Sequence, residues 1–257
     1  MTNDREKYEQ FHAAFGMMLR AGTVTETGDK VDEIKDLLLY HTSETKLVSL
    51  KEYVDAMPAE QTKIYFACGE NVKRLLSLPQ AEQLHEKGYD VLCMTSQIDE
   101  YFVDTMKTYA DKPFCNIATD DLGLETEEEK KETEAKQAED KDLLDFVKET
   151  LGDKIKEAKV SHRLKTHPVC LTAGEGFSFE MEKYFKNFQM PEPIKAERIL
   201  ELNVDHPAVK AMAAALATDR DKAALYARIL YDQANLIAGL PLEDPSAYTD
   251  MVAQLMQ

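Results

Sequence analysis

Four side chains that could do chemistry follow two apolar runs of strand length. Cys68 ends the first run, and Thr95, Asp99 and Glu100 follow the second, which ends at Met94. Ligands of open α/β sheets bind at the carboxyl ends of parallel strands. A thiol, a hydroxyl and two carboxylates at that edge therefore indicate a ligand site, and a small α/β enzyme is one hypothesis for the function.

Other signatures of catalysis are missing from the sequence. No Ser, Cys or His lies in a recognisable nucleophile motif, and no glycine-rich phosphate-binding loop occurs, since Gly174 and Gly176 are more typical of a turn. The six histidines are dispersed, as surface and packing residues are. They are His12, His41, His85, His162, His167 and His206. We therefore expect no catalysis by this chain alone.

Strands and helices alternate around the candidate groups. Apolar runs predict strands over 63–68, 90–94 and 113–117 with helices between them, a pattern typical of a small parallel sheet covered on both faces. The segment 89–102 is the most informative junction, because a strand meets a polar turn and then an acidic and aromatic helix start. This alternation predicts a three-layer αβα unit.

The helix start at this junction has two unusual features. Thr95 or Ser96 offers a hydroxyl as the N-cap, and Asp99 suits the first turn because the helix dipole favours negative charge there. Tyr101 and Phe102 cannot both point into the core of one helix, so one of these aromatic rings is expected to face out. The sequence leaves open whether Tyr101 faces a cleft or the core.

Four segments follow from the pattern along the chain. Short helices broken by glycines are expected over 1–60, and the small αβα subdomain over 61–120. A charged linker is expected over 121–140, either as a flexible hinge or as a solvated helix with paired Glu and Lys. A domain with a small sheet and a helical bundle is expected over 141–257. Its predicted strands are 156–162, 168–172 and 198–202. The fold class is therefore α/β followed by α+β.

One aromatic stripe stands out in the last segment. Phe177, Met181, Tyr184, Phe185 and Phe188 recur at the spacing of one helix face. The stripe is either the buried face of an ordinary core helix or a surface that offers aromatic and Met side chains to partners.

The last fifty residues predict three helices. The middle one carries two apolar stripes: Leu225, Ile229, Leu236 and Leu240 beside Tyr226, Leu230, Ala234 and Ile237. The third helix carries Tyr248, Met251, Val252, Leu255 and Met256. Two stripes need two partners, so either the same domain covers both or a second copy completes a four-helix bundle.

Composition narrows the class of protein. A net charge of −17 argues against binding to nucleic acid or anionic lipid, which requires clustered Lys and Arg. No apolar run is long enough to span a bilayer, and the polar N-terminus is not a secretory signal. Four cysteines without paired spacing predict small buried apolar residues, not a disulfide framework or a zinc site, which points to the cytoplasm.

The order and spacing of several blocks resemble the heat shock protein 90 chaperones, bacterial members in particular. The blocks are Lys7–Phe11, Leu37–Ser43, Ser49–Val54, Ile64–Phe66, Val91–Tyr101 and Leu151–Asp153. Further marks are Met57 with Pro58 and Lys112 with Pro113 and Phe114. The resemblance covers nearly the whole chain. It implies the distal part of the middle domain followed by the C-terminal dimerisation domain.

The resemblance also implies which parts of the family's machinery lie elsewhere. The ATP-binding domain and the arginine-bearing loop that completes the ATPase come earlier in that family, so this chain is expected to begin after both. ATP and Mg²⁺ then belong to the full-length family, and no cofactor or metal is expected here. An acidic tail that binds co-chaperones, known from cytosolic eukaryotic members, is not expected either.

Contacts with partly folded client proteins are implied on two surfaces. They correspond to Glu100, Tyr101 and Asp104 in the middle domain and to Phe177, Met181, Tyr184 and Phe185 in the C-terminal domain. Bacterial members often have Trp where this chain has Tyr101, which buries less area. Homodimerisation is implied through Leu225, Tyr226, Ile229, Leu230, Leu236, Ile237, Tyr248, Met251, Val252 and Leu255. A dimeric, client-binding chaperone segment is the leading hypothesis; the α/β enzyme and a pure dimerisation scaffold are the alternatives.

Overall fold

The chain folds into two compact units in a computed structural model that describes residues 4–23, 30–96, 98–174, 176–186 and 195–256. Unit one comprises the described residues up to Ser77 together with Leu84–Asp121, and unit two comprises Leu78–Gln83 with the described residues from Leu122 onward. Within these ranges, no helix is both long and apolar enough to cross a membrane.

Unit one is built around a six-stranded mixed sheet. Its elements are α1 (Arg5–Ala21), α2 (Val31–Ile34), β1 (Leu39–His41), β2 (Leu47–Ser49), α3 (Leu50–Ala56), β3 (Ile64–Cys68), α4 (Val72–Leu76), α5 (Glu82–Glu86, which begins in unit two), β4 (Leu92–Met94), α6 (Asp99–Met106), β5 (Thr108–Tyr109) and β6 (Lys112–Asn116). The strand order is β2-β1-β4-β3-β6-β5. β3 runs parallel to β4 and β6, and the remaining neighbours are antiparallel.

The three strands predicted around the candidate groups are confirmed as β3, β4 and β6. Phe66 lies at the centre, paired with Leu92 on one side and with Asn116 on the other. Tyr65 and Phe66 are both buried although their side chains point to opposite faces. Cover on both faces explains why the apolar run of β3 is continuous and does not alternate.

The first sixty residues contain more than the predicted helices. β1 and β2 form an antiparallel hairpin in which Tyr40 pairs with Val48. The helical stretch before this hairpin ends at Leu37, because Leu38 adopts an extended conformation with φ −83° and ψ 140°. Strands of three residues are too short to show an alternating pattern, so the sequence did not reveal them.

Helix α1 has its polar side buried and its apolar side exposed. The buried residues are His12, Gly16 and Arg20. Phe11 and Phe15 are 45% and 47% exposed, so the helical spacing of these two rings does not mark a buried face. A Cβ atom at Gly16 would lie 3.0 Å from both Arg20 Nη1 and His12 Cε1, so a larger residue would disturb the buried charge.

Unit two combines a three-stranded sheet with helices. Its elements after the Leu78–Gln83 segment are α7 (Glu127–Glu139), α8 (Lys141–Leu151), β7 (Glu157–Val160), β8 (Val169–Ala173), α9 (Phe179–Lys186), β9 (Arg198–Leu202), α10 (Pro207–Leu216), α11 (Arg220–Ala238) and α12 (Pro245–Leu255). The strand order is β7-β9-β8. β9 is parallel to β7 and antiparallel to β8, and all three strands lie where the sequence predicted them.

The charged segment 121–140 is mostly helical. α7 begins with a capping box, in which the Thr126 hydroxyl accepts from the Glu129 N–H and the Glu129 carboxylate accepts from the Thr126 N–H. No residue of α7 is buried. Of the two alternatives, the solvated helix describes residues 127–139, with ion pairs between Lys130 and Glu127 and between Lys136 and Glu132.

A fully buried carboxylate lies in the central strand of unit two. Glu201 accepts from the hydroxyls of Ser161 at 2.8 Å and Thr172 at 3.1 Å, and Arg163 Nε and Lys159 Nζ each lie 3.3 Å from it. Burial alone would raise the pKa of Glu201, but these two cations hold it below its usual range. The charge is therefore retained inside the domain.

The cysteines agree with the packing prediction. All four are free thiols. Cys93, Cys115 and Cys170 are buried and Cys68 is half-buried. Burial raises the pKa of Cys93 to about 12, so this thiol stays protonated at neutral pH.

The buried imidazole of His12 predicts acid sensitivity of unit one. Burial, with the nearby charge of Arg20, lowers the pKa of His12 to about 4. An unfolded histidine titrates near pH 6.5, so below that pH the unfolded state binds a proton that the folded state refuses. Stability conferred at neutral pH should therefore fall as the pH drops from about 6.5 to 4, by about 3 kcal/mol at most.

Urea unfolding of the wild type and of His12→Gln at pH 7 and pH 4.5 measures this contribution. The variant should lose less stability between the two pH values than the wild type does. His85→Gln changes an exposed histidine and should behave like the wild type. Equal pH dependence of His12→Gln and the wild type would contradict the assignment.

Candidate functional site

The turn between β4 and α6 is held by Asp99. The N-cap of α6 is Ile98, which makes no side-chain cap hydrogen bond, so the prediction of Thr95 or Ser96 at this position is wrong. The carboxylate of Asp99 instead reaches backwards, and its Oδ2 accepts the Ser96 N–H at 3.1 Å. Asp99 thus lies in the first turn of α6, where the sequence predicted it, and bonds to the turn that precedes the helix.

Asp99 also forms the buried ion pair of unit one. Its Oδ1 lies 2.6 Å from Nε of Arg20, and the Asp99 side chain is fully buried. Burial raises the pKa of Asp99, an effect that Arg20 and the Ser96 N–H oppose. Arg20 was not among the residues predicted to matter, because an arginine within a helix of apolar spacing gives no signal of its buried partner.

The three residues predicted for partner contact on α6 differ in exposure. Glu100 is 8% exposed, and its Oε1 accepts from the Asn116 side-chain amide at 3.3 Å, which places it inside the unit and speaks against the predicted partner contact. Tyr101 is half-buried and Asp104 is exposed, while the neighbouring Phe102 is fully buried. Tyr101 and Asp104 are therefore the residues of this set with accessible surface.

Both carboxylates of the alternative ligand site at the strand ends are engaged by other side chains of unit one. Asp99 is engaged by Arg20, and Glu100 by Asn116. In the described ranges, no group of three or more His, Cys, Asp or Glu side chains could hold a metal ion. Neither carboxylate is placed as a free general base, so the geometry does not favour the enzyme hypothesis.

Two clefts in unit two are also unlike small-molecule sites. One, of about 400 Å³, is bordered by Glu125, Glu132, Lys136 and Asp205, and the other, of about 550 Å³, has Lys154 on its border. Ligand pockets are lined mainly by apolar side chains with a few polar groups. The strongly charged borders of both clefts fit that description poorly.

Helix α9 carries Met181, Tyr184 and Phe185 of the predicted stripe, and Phe177 lies just before the helix. A different residue anchors the helix. Phe179, which is outside the stripe, is buried in the core of unit two, with Arg198 5.6 Å from its ring centroid. Glu182 adds polar anchors, because its carboxylate accepts from Arg198 Nη2 at 2.9 Å and from the Ala196 N–H at 2.8 Å. These contacts fix one side of α9 and leave the stripe on another side.

The stripe itself is partly open to solvent. Phe177 is 39% exposed, and Met181, Tyr184 and Phe185 are half-buried. The Phe185 ring packs edge-on against Phe177 at 5.9 Å and Tyr184 at 5.6 Å between centroids. Phe188 lies outside the described residues. The aromatic rings cover one another and do not form the core of the unit.

The residues predicted for dimerisation fall into three groups by exposure. Ile229 and Leu230 are buried within the chain, and Leu230 belongs to the hydrophobic core of unit two, so the same domain covers these two positions and their prediction as interface residues is corrected. Leu236 is 48% exposed. The other seven are half-buried: Leu225, Tyr226, Ile237, Tyr248, Met251, Val252 and Leu255.

The inward face of α11 is richer in small residues than the sequence pattern suggested. Ala223, Ala227 and Ala234 are buried beside Leu230 and Tyr231. Small side chains allow neighbouring elements to pack closely against this face of the helix. Leu236 lies on another face and is exposed.

Comparison with known proteins places the whole chain in one family. The sequence model described as Hsp90 protein matches residues 1–257. The chaperone protein HtpG of Bacillus subtilis (strain 168) is 41% identical over 257 residues, covering 100% of this chain and 41% of the relative. The HtpG proteins of Clostridium acetobutylicum and Clostridium perfringens are 43% and 42% identical over 99% and 100% of this chain.

The matched region is only part of these relatives. In each of the three, the chain spans 41% of the relative's length. The blocks that suggested the heat shock protein 90 chaperones in the sequence thus lie within a match that runs from end to end of this chain. The chain belongs to the Hsp90 family.

Proposed function

We propose that this chain is the segment of an Hsp90-type chaperone that joins two copies and contributes surfaces for partly folded client proteins. The observation that carries the proposal is the partly exposed aromatic stripe of α9, which Phe179 and Glu182 hold in place from another side. A helix fixed by one face can offer the other without unfolding. The names of the relatives, chaperone proteins, agree with this role.

The chemistry of the α9 stripe suits clients of varied sequence. Aromatic rings supply large contact areas at a small cost in conformational entropy, and Met181 adds a flexible, polarisable side chain. Phe185 packs against both Phe177 and Tyr184, so an apolar side chain of a client could replace one of these ring contacts. Such contacts favour apolar segments without requiring one sequence.

The surface of α6 is proposed as a second client contact, formed by Tyr101 and Asp104 without Glu100. Tyr101 and Asp104 offer an amphipathic ring and a carboxylate one turn apart. Desolvation and the charge of Asp120 raise the pKa of Asp104. A basic or aromatic client segment would match Tyr101 and Asp104. Glu100 is buried and bonds to the Asn116 amide, so it is not part of this surface.

Homodimerisation is proposed through the exposed sides of α11 and α12. Leu236 and Met256 are 48% and 82% exposed, and Tyr248, Met251 and Val252 are half-buried on the same pair of helices. A two-fold axis along this surface would bury these side chains in a four-helix bundle. The interface would be continuous with the core face that Leu230 already occupies.

ATP binding and hydrolysis are proposed to reside in the part of the full-length protein that this chain does not match. With Mg²⁺, they would drive opening and closing of the dimer, while this chain itself binds no cofactor. We further propose a cytoplasmic location and no binding to nucleic acid or to membranes, because a net charge of −17 disfavours polyanionic surfaces.

Removing two rings from the α9 stripe should weaken chaperone activity without unfolding unit two. Phe177→Ala combined with Tyr184→Ala should reduce affinity for a partly folded model client by about thirtyfold, since two aromatic anchors that contribute about 1 kcal/mol each together contribute about 2 kcal/mol. Suppression of aggregation and direct binding by fluorescence anisotropy measure the effect.

The matched control is Phe11→Ala combined with Phe15→Ala, which removes two touching, partly exposed rings from α1, outside the proposed surface. Client binding should be unchanged in the control, and both variants should keep the unfolding midpoint of the wild type. Unchanged binding in the α9 variant would leave the pure dimerisation scaffold as the better account. Loss of folding in that variant would show the stripe to be core.

A charge at Leu236 should break the dimer. Leu236→Glu would place an unpaired carboxylate in an apolar interface, which costs several kcal/mol or forces the subunits apart. Sedimentation velocity should give a dimer for the wild type and a monomer for the variant. Leu37→Glu changes a leucine of similar exposure, 39%, in unit one and should remain dimeric. A monomeric wild type at all concentrations would exclude the proposed interface.

The isolated chain should not hydrolyse ATP. It lacks a glycine-rich phosphate-binding loop, so turnover of ATP with Mg²⁺ should equal the background of a buffer without protein. A coupled phosphate-release assay checks this. Turnover that rises in proportion to chain concentration, and survives repurification, would overturn the non-catalytic assignment.

A further inference from the structure

The buried ion pair between Arg20 and Asp99 joins parts of unit one that are 79 residues apart in sequence. The pair connects the last turn of α1 with the first residue of α6. The side chains are 10% and 0% exposed. Removing two charges from water carries a penalty of several kcal/mol per ion before their attraction is counted. Its position invites a role beyond packing.

Arg20 is fixed by contacts from α1 and β1. Its Nη2 donates to the Leu39 carbonyl at 3.0 Å, and the guanidinium lies 5.2 Å from the centroid of the Tyr40 ring. His12 Nε2 lies 3.5 Å from Arg20 Nη1 and accepts the Leu39 N–H at 3.0 Å. Because His12 accepts that hydrogen bond, it is neutral and does not compete for Asp99.

Asp99 transmits this fixed position to α6. Its two carboxylate oxygens have different partners: Oδ1 accepts from Arg20 Nε, and Oδ2 accepts from the Ser96 N–H. The carboxylate therefore clamps the turn before α6 to α1. Phe102, one turn further, is fully buried. With Asp99 and Phe102 both directed inward, the rotation of α6 about its axis is set.

Tyr101 and Asp104 occupy the remaining directions of the same helix. We propose that Arg20 and Asp99 are positioning residues for the Tyr101 and Asp104 surface: they do not touch a client, but hold α6 at the rotation that presents these two side chains. This inference rests on the proposed function of α6 as a client contact. It assigns Arg20, a residue of α1, to a surface carried by another element.

A double-mutant cycle on client affinity tests the proposal in the full chain. Arg20→Gln and Tyr101→Ala should each weaken binding of a partly folded model client, by about fivefold if their coupling lies in the usual range for interacting residues. The double variant should bind client more tightly than the product of the two single effects would give, because part of the effect of Arg20 passes through Tyr101. Effects that multiply in the double variant would overturn the proposal.

Hydrogen exchange without client separates positioning from client binding. In Asp99→Asn, amide exchange of residues 99–106 should rise about tenfold or more, while exchange in α9 stays unchanged. Asp55→Asn breaks an exposed pair with Lys51, whose side chains are 69% and 60% exposed, and should alter neither helix. Asp99→Asn also serves where Arg20→Gln fails to fold.

The two measurements fail in different ways. If Tyr101→Ala binds client like the wild type, α6 is not a client contact and that part of the proposed function is rejected. Exchange in Asp99→Asn then decides whether the ion pair positions α6 at all. Wild-type exchange across residues 99–106 in Asp99→Asn would overturn the positioning role, whatever the client data show.

Discussion

A carboxylate taken out of water must be met by cations and hydrogen-bond donors, and each unit of this chain is organised around one such group. Asp99 in unit one is paired with Arg20, and Glu201 in unit two with Arg163 and Lys159. Breaking a buried pair by removing one partner typically costs about 3 to 5 kcal/mol. Such groups specify position strongly, since only one arrangement satisfies them.

This constraint explains why apolar side chains are left outside. In α1 the buried side is taken by Arg20 and His12, so Phe11 and Phe15 face solvent. In α9 the anchors are one ring and one carboxylate, and the remaining aromatic residues stay partly exposed. A net charge of −17 keeps such a surface soluble. In both helices, buried polar contacts on one face therefore accompany exposed apolar side chains on another.

Local pattern was enough to predict the parallel strands, because a strand such as β3 that is buried on both faces needs an uninterrupted apolar run. It was not enough for β1 and β2, whose three residues each depend on tertiary pairing. The pattern predicted helices at α6 and α9 but not the buried environment of Glu100, because the amide of Asn116 that engages it comes from a distant strand. Arg20 was missed for the same reason: a long-range partner leaves no periodic signal.

We propose that the exposed sides of α6 and α9, and not reactive groups at the strand ends, are the working surfaces of this chain. Hydrogen exchange of the wild-type chain with and without a partly folded client distinguishes the two. Client-induced protection is expected in peptides covering 99–106 and 179–186, with β3 and β4 unchanged. Protection confined to other segments, or none at saturating client, would contradict the proposal.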